Sequence, residues 1–168
     1  DEMSSRYQGL SERITQAALQ AGRPAIQVQL LAVSKTFAAE QVREVAALGQ
    51  RHFGENYVQE GVDKIAALKD VPGLVWHCIG PLQSNKTRLV AEHFDWVHSV
   101  DRLKIAQRLS DQRPAHLPPL QVCLQVNISG QASKSGVAPQ EALALAQAVS
   151  AWSTMRSSIA VPSSMRFT

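Results

Sequence analysis

Strand-like runs alternate with helix-like runs along the whole chain, and that alternation leaves few folds open. Val28-Gln29-Leu30-Leu31-Ala32-Val33-Ser34 is a short apolar run of the kind buried on both faces of a sheet. His52 to Asn56, Leu74 to Gly80, Trp96 to Val100 and Leu120 to Asn127 read as further strands, five in all. Helical stretches run over residues 4–21, Ala39–Leu48, Val58–Leu68, Asn85–His93, Arg102–Gln112 and Gln140–Ala151. Pro72-Gly73 is a turn, Pro114 to Pro119 a stiff connector, and Ser129 to Pro139 a polar loop. Strands that alternate with helices of this length form parallel βαβ units. Two architectures fit, an open doubly wound sheet and a (β/α) TIM-type barrel. No Gly-x-Gly-x-x-Gly follows the first strand, so a dinucleotide fold lacks its fingerprint. A closed barrel needs ~200 or more residues, and 168 are present, so a barrel here would be incomplete.

Composition narrows the function. With 45% hydrophobic and 18% charged residues the chain can bury a core and does not resemble a disordered segment. Cys78 and Cys123 lie far apart without metal-ligand spacing, which argues against a disulfide scaffold or a zinc site and for a reducing cytoplasm. Both read as inert core thiols. No apolar run reaches the ~18 residues of a membrane span. The net charge of +3 owes +2 to Arg156 and Arg166 near the end of the chain. The rest is nearly neutral and has no aromatic–basic stripe, which argues against nucleic-acid binding.

Residues 151–168 are serine-rich without a helical period, and read as an atypical tail, truncated or frameshifted, after a domain over residues 1–150. Within the tail, Ser158 to Pro162 is a candidate sixth strand.

Polar residues gather just after each predicted strand, where parallel α/β folds bind ligands. Lys35 stands out because it directly follows the first apolar run. An amine beginning near a core has its ammonium disfavoured, and a neutral amine condenses with an aldehyde. The plainer reading is a lysine that reaches from the strand end into solvent. His77, between Trp76 and Cys78, reads alone as a hydrogen-bonded core histidine. Asn56 and Asn127 suit turns, and Ser84 or Asn85 suits a helix cap. Lys134 lies in the polar loop, whose plainer reading is solvent exposure.

Several segments in order and spacing carry a resemblance: Leu31-Ala32-Val33-Ser34-Lys35-Thr36, Phe53-Gly54-Glu55-Asn56-Tyr57-Val58-Gln59-Glu60, Trp76 through Lys86, Ser99-Val100-Asp101-Arg102, Gln125-Val126-Asn127-Ile128-Ser129 and Lys134-Ser135-Gly136. Over residues 4 to about 150 the chain resembles the YggS-like pyridoxal phosphate homeostasis proteins. The resemblance implies a TIM-type barrel similar to the alanine racemase N-terminal domain, incomplete here, with five to six strands. It implies pyridoxal 5′-phosphate held as a Schiff base on Lys35, with Asn56, His77, Ile79 and Asn127 lining the cofactor face. It implies Lys134 as a loop lysine that accepts or relays the aldehyde, and no metal.

The family resembles a cytoplasmic, monomeric carrier that buffers vitamin B6 and supplies dependent apoenzymes, without established turnover. The competing expectation is a racemase-like enzyme using the same lysine. Such an enzyme needs a second acid–base group opposite the cofactor, and none is evident. The family's phosphate-binding segments lie beyond residue 150 and have no secure match. An open barrel edge is therefore expected to favour self-association and weaker cofactor binding.

Overall fold

The computed structural model describes residues 1–162. Helix α1 (Glu2–Gln20) begins at Asp1, whose carboxylate accepts the Met3 N–H at 3.0 Å and so satisfies one free donor of the first turn. Five strands alternate with helices after it: β1 (Ala32–Val33), α2 (Ala39–Ala47), β2 (His52–Glu55), α3 (Val58–Ala67), β3 (Val75–Cys78), α4 (Thr87–His93), β4 (Trp96–Val100), α5 (Leu103–Gln112) and β5 (Leu120–Leu124). Helix α6 (Pro139–Arg156) and strand β6 (Ile159–Ala160) follow.

All six strands are parallel and stand in the order β1-β2-β3-β4-β5-β6. A doubly wound sheet begins inside and reverses direction. Here each new strand joins beside its predecessor, which is the winding of a barrel. Among the described residues β1 pairs with β2 and β6 with β5, so the sheet has two free edges and is not closed. The first strand is shorter than its apolar sequence suggests. A strand exists through its ladder, and among the described residues β1 has one neighbour, which engages only Ala32 with Phe53 and Val33 with Gly54.

Side chains alternate across each strand. Phe53, Trp76, Cys78, Val97 and Val122 point to the helical layer and are buried against Val42, Val90, Ile105, Ala106 and Leu109. The register Gly54↔His77↔Trp96 runs along the opposite, inward face. Cys78 and Cys123 are free, buried thiols, and burial pushes each up to about 11. They pack as the sequence suggests. Arg113 ties the helical layer together by donating to the carbonyls of Ala91, Phe94 and Pro118.

Helix α6 was expected to stop at Ala151, yet it continues to Arg156, and Ser157 ends it in the left-handed region at φ +58°. Tertiary partners account for this. Trp152 packs against the core, and the Ser153 hydroxyl donates to Ile159 O at 2.9 Å. The Ser158 hydroxyl donates to Ser110 O at 2.9 Å, and Ile159 pairs with Leu120 at 1% exposure. Serines read as a tail are here structural donors, and the sixth strand forms. Residues 163–168, also assigned to the tail, lie outside the described residues. Among the described residues no helix is long and apolar enough to cross a membrane.

Candidate functional site

Lys35 sits two residues beyond β1, at the carboxyl end of the sheet. Its side chain is exposed, which agrees with the plainer reading of a lysine that reaches from the strand end into solvent. The apolar run ends at Ser34, which is 5% exposed, and the chain turns immediately afterwards. That turn runs from Ser34 to Phe37, whose N–H donates to Ser34 O at 3.1 Å. Thr36 occupies its third position at φ +66°, a backbone region that a β-branched residue seldom enters. Among the described residues no ion pair or hydrogen bond engages the Lys35 amine.

A buried polar cluster lies against this turn. Lys64, from α3, is 6% exposed and donates to Ser34 O (2.6 Å), Glu55 Oε1 (2.7 Å) and Glu60 Oε1 (2.8 Å). All three ammonium donors are therefore used. Glu55, fully buried, also accepts the Ser34 hydroxyl at 3.0 Å. Glu60 accepts the Thr36 N–H at 2.6 Å. The Lys64 ammonium and that N–H hold the Glu60 carboxyl below its usual value. Gly61 permits the approach of α3, since a Cβ there would lie 2.6 Å from the Phe94 ring and 3.2 Å from Glu55 Cβ. The sequence reading missed Lys64 and Glu60. The available signal was a lysine on the buried stripe Val58–Gly61–Lys64, four residues after a glutamate.

Two acceptors at the end of β2 have no partner among the described residues: Glu55 Oε2 and Asn56 Oδ1, both buried. The Gly80 backbone abuts Asn56, whose carbonyl oxygen would be 2.2 Å from a Cβ at position 80. The ends of β2 and β3 are thereby locked together.

His77 is buried and spends both ring nitrogens on other histidines. Its Nε2 meets His52 Nδ1 at 2.9 Å and its Nδ1 meets His98 Nε2 at 2.8 Å, while Trp96 stacks on its face with centroids 5.2 Å apart. This is the hydrogen-bonded core histidine that its sequence context suggested. Burial first, then the two neighbouring imidazoles, pushes its pKa down to about 3, and burial lowers His52 and His98 too. The missed partners, His52 and His98, were not separable from other strand residues without the register.

Ile79, Asn127 and Lys134 come together in a cleft of about 470 Å³, with Pro81, Gln125 and Ile128. Asn127 organises its loop. Its amide donates to Gln131 O at 2.9 Å and Lys134 O at 3.3 Å, and its Oδ1 accepts from Ser129 Oγ and Gly130 N. Lys134 is exposed. Lys35, Asn56 and His77 do not line this cleft. A separate, almost wholly apolar groove of about 180 Å³ follows the free edge of β1 between Met3, Val33 and Phe37. Among the described residues no group of three or more His, Cys, Asp or Glu is arranged to hold a metal ion.

A parallel sheet wound in sequence, with a lysine amine at the carboxyl end of its first strand that is unpaired among the described residues, defines a lysine-bearing domain of the (β/α)-barrel type. Residues 8–160 match the family described as "Alanine racemase, N-terminal domain", and the chain belongs to that family. It is 66% identical over 140 residues to the pyridoxal phosphate homeostasis protein of Pseudomonas aeruginosa, covering 83% of this chain and 60% of that protein. The protein of the same name from Escherichia coli K12 is 59% identical over 140 residues, covering 82% of this chain and 60% of its own length. The chain thus spans about 60% of the length of these curated relatives. Among solved structures, PipY of Synechococcus elongatus with PLP bound aligns with a TM-score of 0.69 and 41% identity, covering 90% of this chain and 66% of PipY. PipY without PLP aligns at 0.74 and 42%, covering 90% and 67%.

Proposed function

We propose that this chain binds pyridoxal 5′-phosphate through Lys35 and acts in the cytoplasm to buffer that cofactor and pass it to dependent apoenzymes. One observation carries the reading. A lysine amine with no carboxylate partner among the described residues stands where a barrel-type fold presents its ligand groups. The similarity to proteins named for pyridoxal phosphate homeostasis, and to PipY solved with PLP, supports it. The residues present fit such a ligand, because an aldehyde needs a free amine and its ring hydroxyl needs an acceptor. Lys35 supplies the amine. Asn56 Oδ1, buried and unpartnered, supplies an acceptor. Ile79 offers an apolar surface in the neighbouring cleft, whose lining also holds the second amine, Lys134. His77 offers no free ring nitrogen to a ligand, since His52 and His98 occupy both.

When bound, the ligand would supply an aldehyde carbon, and the Lys35 amine would be the group that holds it. The chain's contribution is to present that amine at the carboxyl end of the sheet. The racemase-like alternative requires proton transfer at a substrate carbon by a second base.

The test is an absorbance titration of the purified chain with pyridoxal phosphate, with a Lys35→Ala control and borohydride reduction. A band at ~420 nm that borohydride removes, leaving added mass on Lys35, is the expected result. A band that persists in Lys35→Ala would sink the assignment. Solvent deuterium incorporated into alanine would favour the enzyme.

A further inference from the structure

Lys35 is bracketed by hydrogen bonds that close around it. Ser34 O, on its amino side, accepts from Lys64 Nζ at 2.6 Å. Thr36 N, on its carboxyl side, donates to Glu60 Oε1 at 2.6 Å. Lys64 and Glu60 are joined to each other at 2.8 Å, one turn apart on α3. A ring therefore runs from Ser34 through Lys64 and Glu60 to Thr36, and Lys35 is the residue it spans. From the side chains of this ring we infer that Glu60 and Lys64 are positioning residues, which hold the Ser34–Phe37 turn so that the Lys35 amine leaves the strand end in one fixed direction. The inference rests on the assignment of Lys35 as the aldehyde-binding amine.

Backbone conformation gives an independent reason. Thr36 at φ +66° occupies a region where a β-branched residue is strained, and such strain persists only where surrounding contacts impose it. The contact imposed here is the Glu60 carboxylate on the Thr36 N–H, a charge-assisted hydrogen bond of the stronger kind. Released from Glu60, Thr36 relaxes toward negative φ, and the preceding peptide turns with it. Lys35 carries that rotation directly. Lys64 fixes the other end: a three-donor ammonium anchored on fully buried Glu55 cannot follow a moving carbonyl. Condensation of an amine depends on holding it close to its target carbon, so an amine that swings loses affinity without losing any ligand contact.

Glu60 is the residue to change, because its side chain is 30% exposed and α3 keeps its core contacts without it. Three readings are taken on wild type, Glu60→Ala and Glu60→Gln: hydrogen exchange of the Thr36 amide in the ligand-free chain, the dissociation constant for pyridoxal phosphate with the borohydride-fixed site mapped, and the urea midpoint. Losing the two hydrogen bonds that Glu60 accepts, from Thr36 N and Lys64 Nζ, is expected to speed Thr36 exchange and weaken binding, each roughly tenfold. The urea midpoint is expected to stay nearly constant. Glu60→Gln keeps an acceptor oxygen and should recover both readings to within about threefold. Rapid Thr36 exchange in Glu60→Ala with wild-type affinity overturns the inference, as does tenfold loss of affinity in a Glu60→Gln chain whose Thr36 amide stays protected. Should Glu60→Ala unfold, Glu60→Gln decides by the same criteria. If wild type leaves no fixed mass on Lys35, the ligand assignment fails and the positioning role fails with it. If wild type does and both variants match it, only the positioning role fails.

Discussion

Lys64 is a charged residue inside a small protein, and its partners decide whether that is tolerable. Paired with Glu55 and Glu60 it is satisfied; removed, it leaves the fully buried Glu55 carboxylate without its cation. Breaking a buried pair from one side costs about 3–5 kcal/mol. Lys64→Met is expected to lose stability on that scale in urea denaturation, and a loss below about 1 kcal/mol would show that the pair is not coupled to the fold. His77 gives a prediction in pH. Its folded pKa is about 3 against an ordinary 6.5, so the unfolded chain takes up a proton that the native chain refuses. The stability it contributes is complete above pH 6.5 and falls as the pH drops through 6.5 toward 3, with His52 and His98 acting in the same sense. His77→Gln should therefore show a flatter fall of melting temperature on acidification from neutral pH. Equal slopes in both proteins would refute the coupling. At this scale the sequence was informative about Lys35 as a strand-end lysine and about Asn127 as a turn former. It was silent about the His52–His77–His98 line, because three histidines on three strands become neighbours only through register.

At the level of elements, helix α3 does most to shape the site, and Gly61 controls its distance from β2. A Cβ at position 61 would lie 2.6 Å from Phe94, itself fully buried. Gly61→Ala is expected to destabilise by ~1–3 kcal/mol through overpacking. Gly9, in the middle of α1, has nothing within 4 Å of its Cβ position, so Gly9→Ala should stabilise by ~0.5–1 kcal/mol through helix propensity. Thermal melts of the two variants should shift in opposite directions; a shared sign would mean that packing is not what distinguishes them. Most elements were legible from periodicity and turn residues, and the central strands lie inside their predicted spans. The failures came at the sheet's edges. β1 shrank because it has one neighbour, and α6 outran its expected end because Trp152 and Ser153 found partners that composition cannot reveal.

Across the whole molecule, sequence pattern could not choose between doubly wound and barrel-type winding, since both use the same βαβ unit. The strand order settles it, and the family resemblance had already pointed the same way. That order also grades stability: β3 and β4 are flanked on both sides, whereas among the described residues β1 and β6 each have one neighbour and two residues. Native-state hydrogen exchange should be slowest in β3 and β4 and fastest in β1 and β6. Uniform protection across the sheet would contradict a graded structure.

Sequential pairing has one more consequence. Among the described residues each strand from β2 to β6 hydrogen-bonds to the strand made just before it, so none of these pairings waits for a distant part of the chain. A ribosome releasing this chain from its amino end would deliver each βα unit next to a finished template, and Lys35 with its supporting α3 would be assembled once residues up to β3 had emerged. The site's anchor can thus take shape before β4, β5 and β6 have emerged.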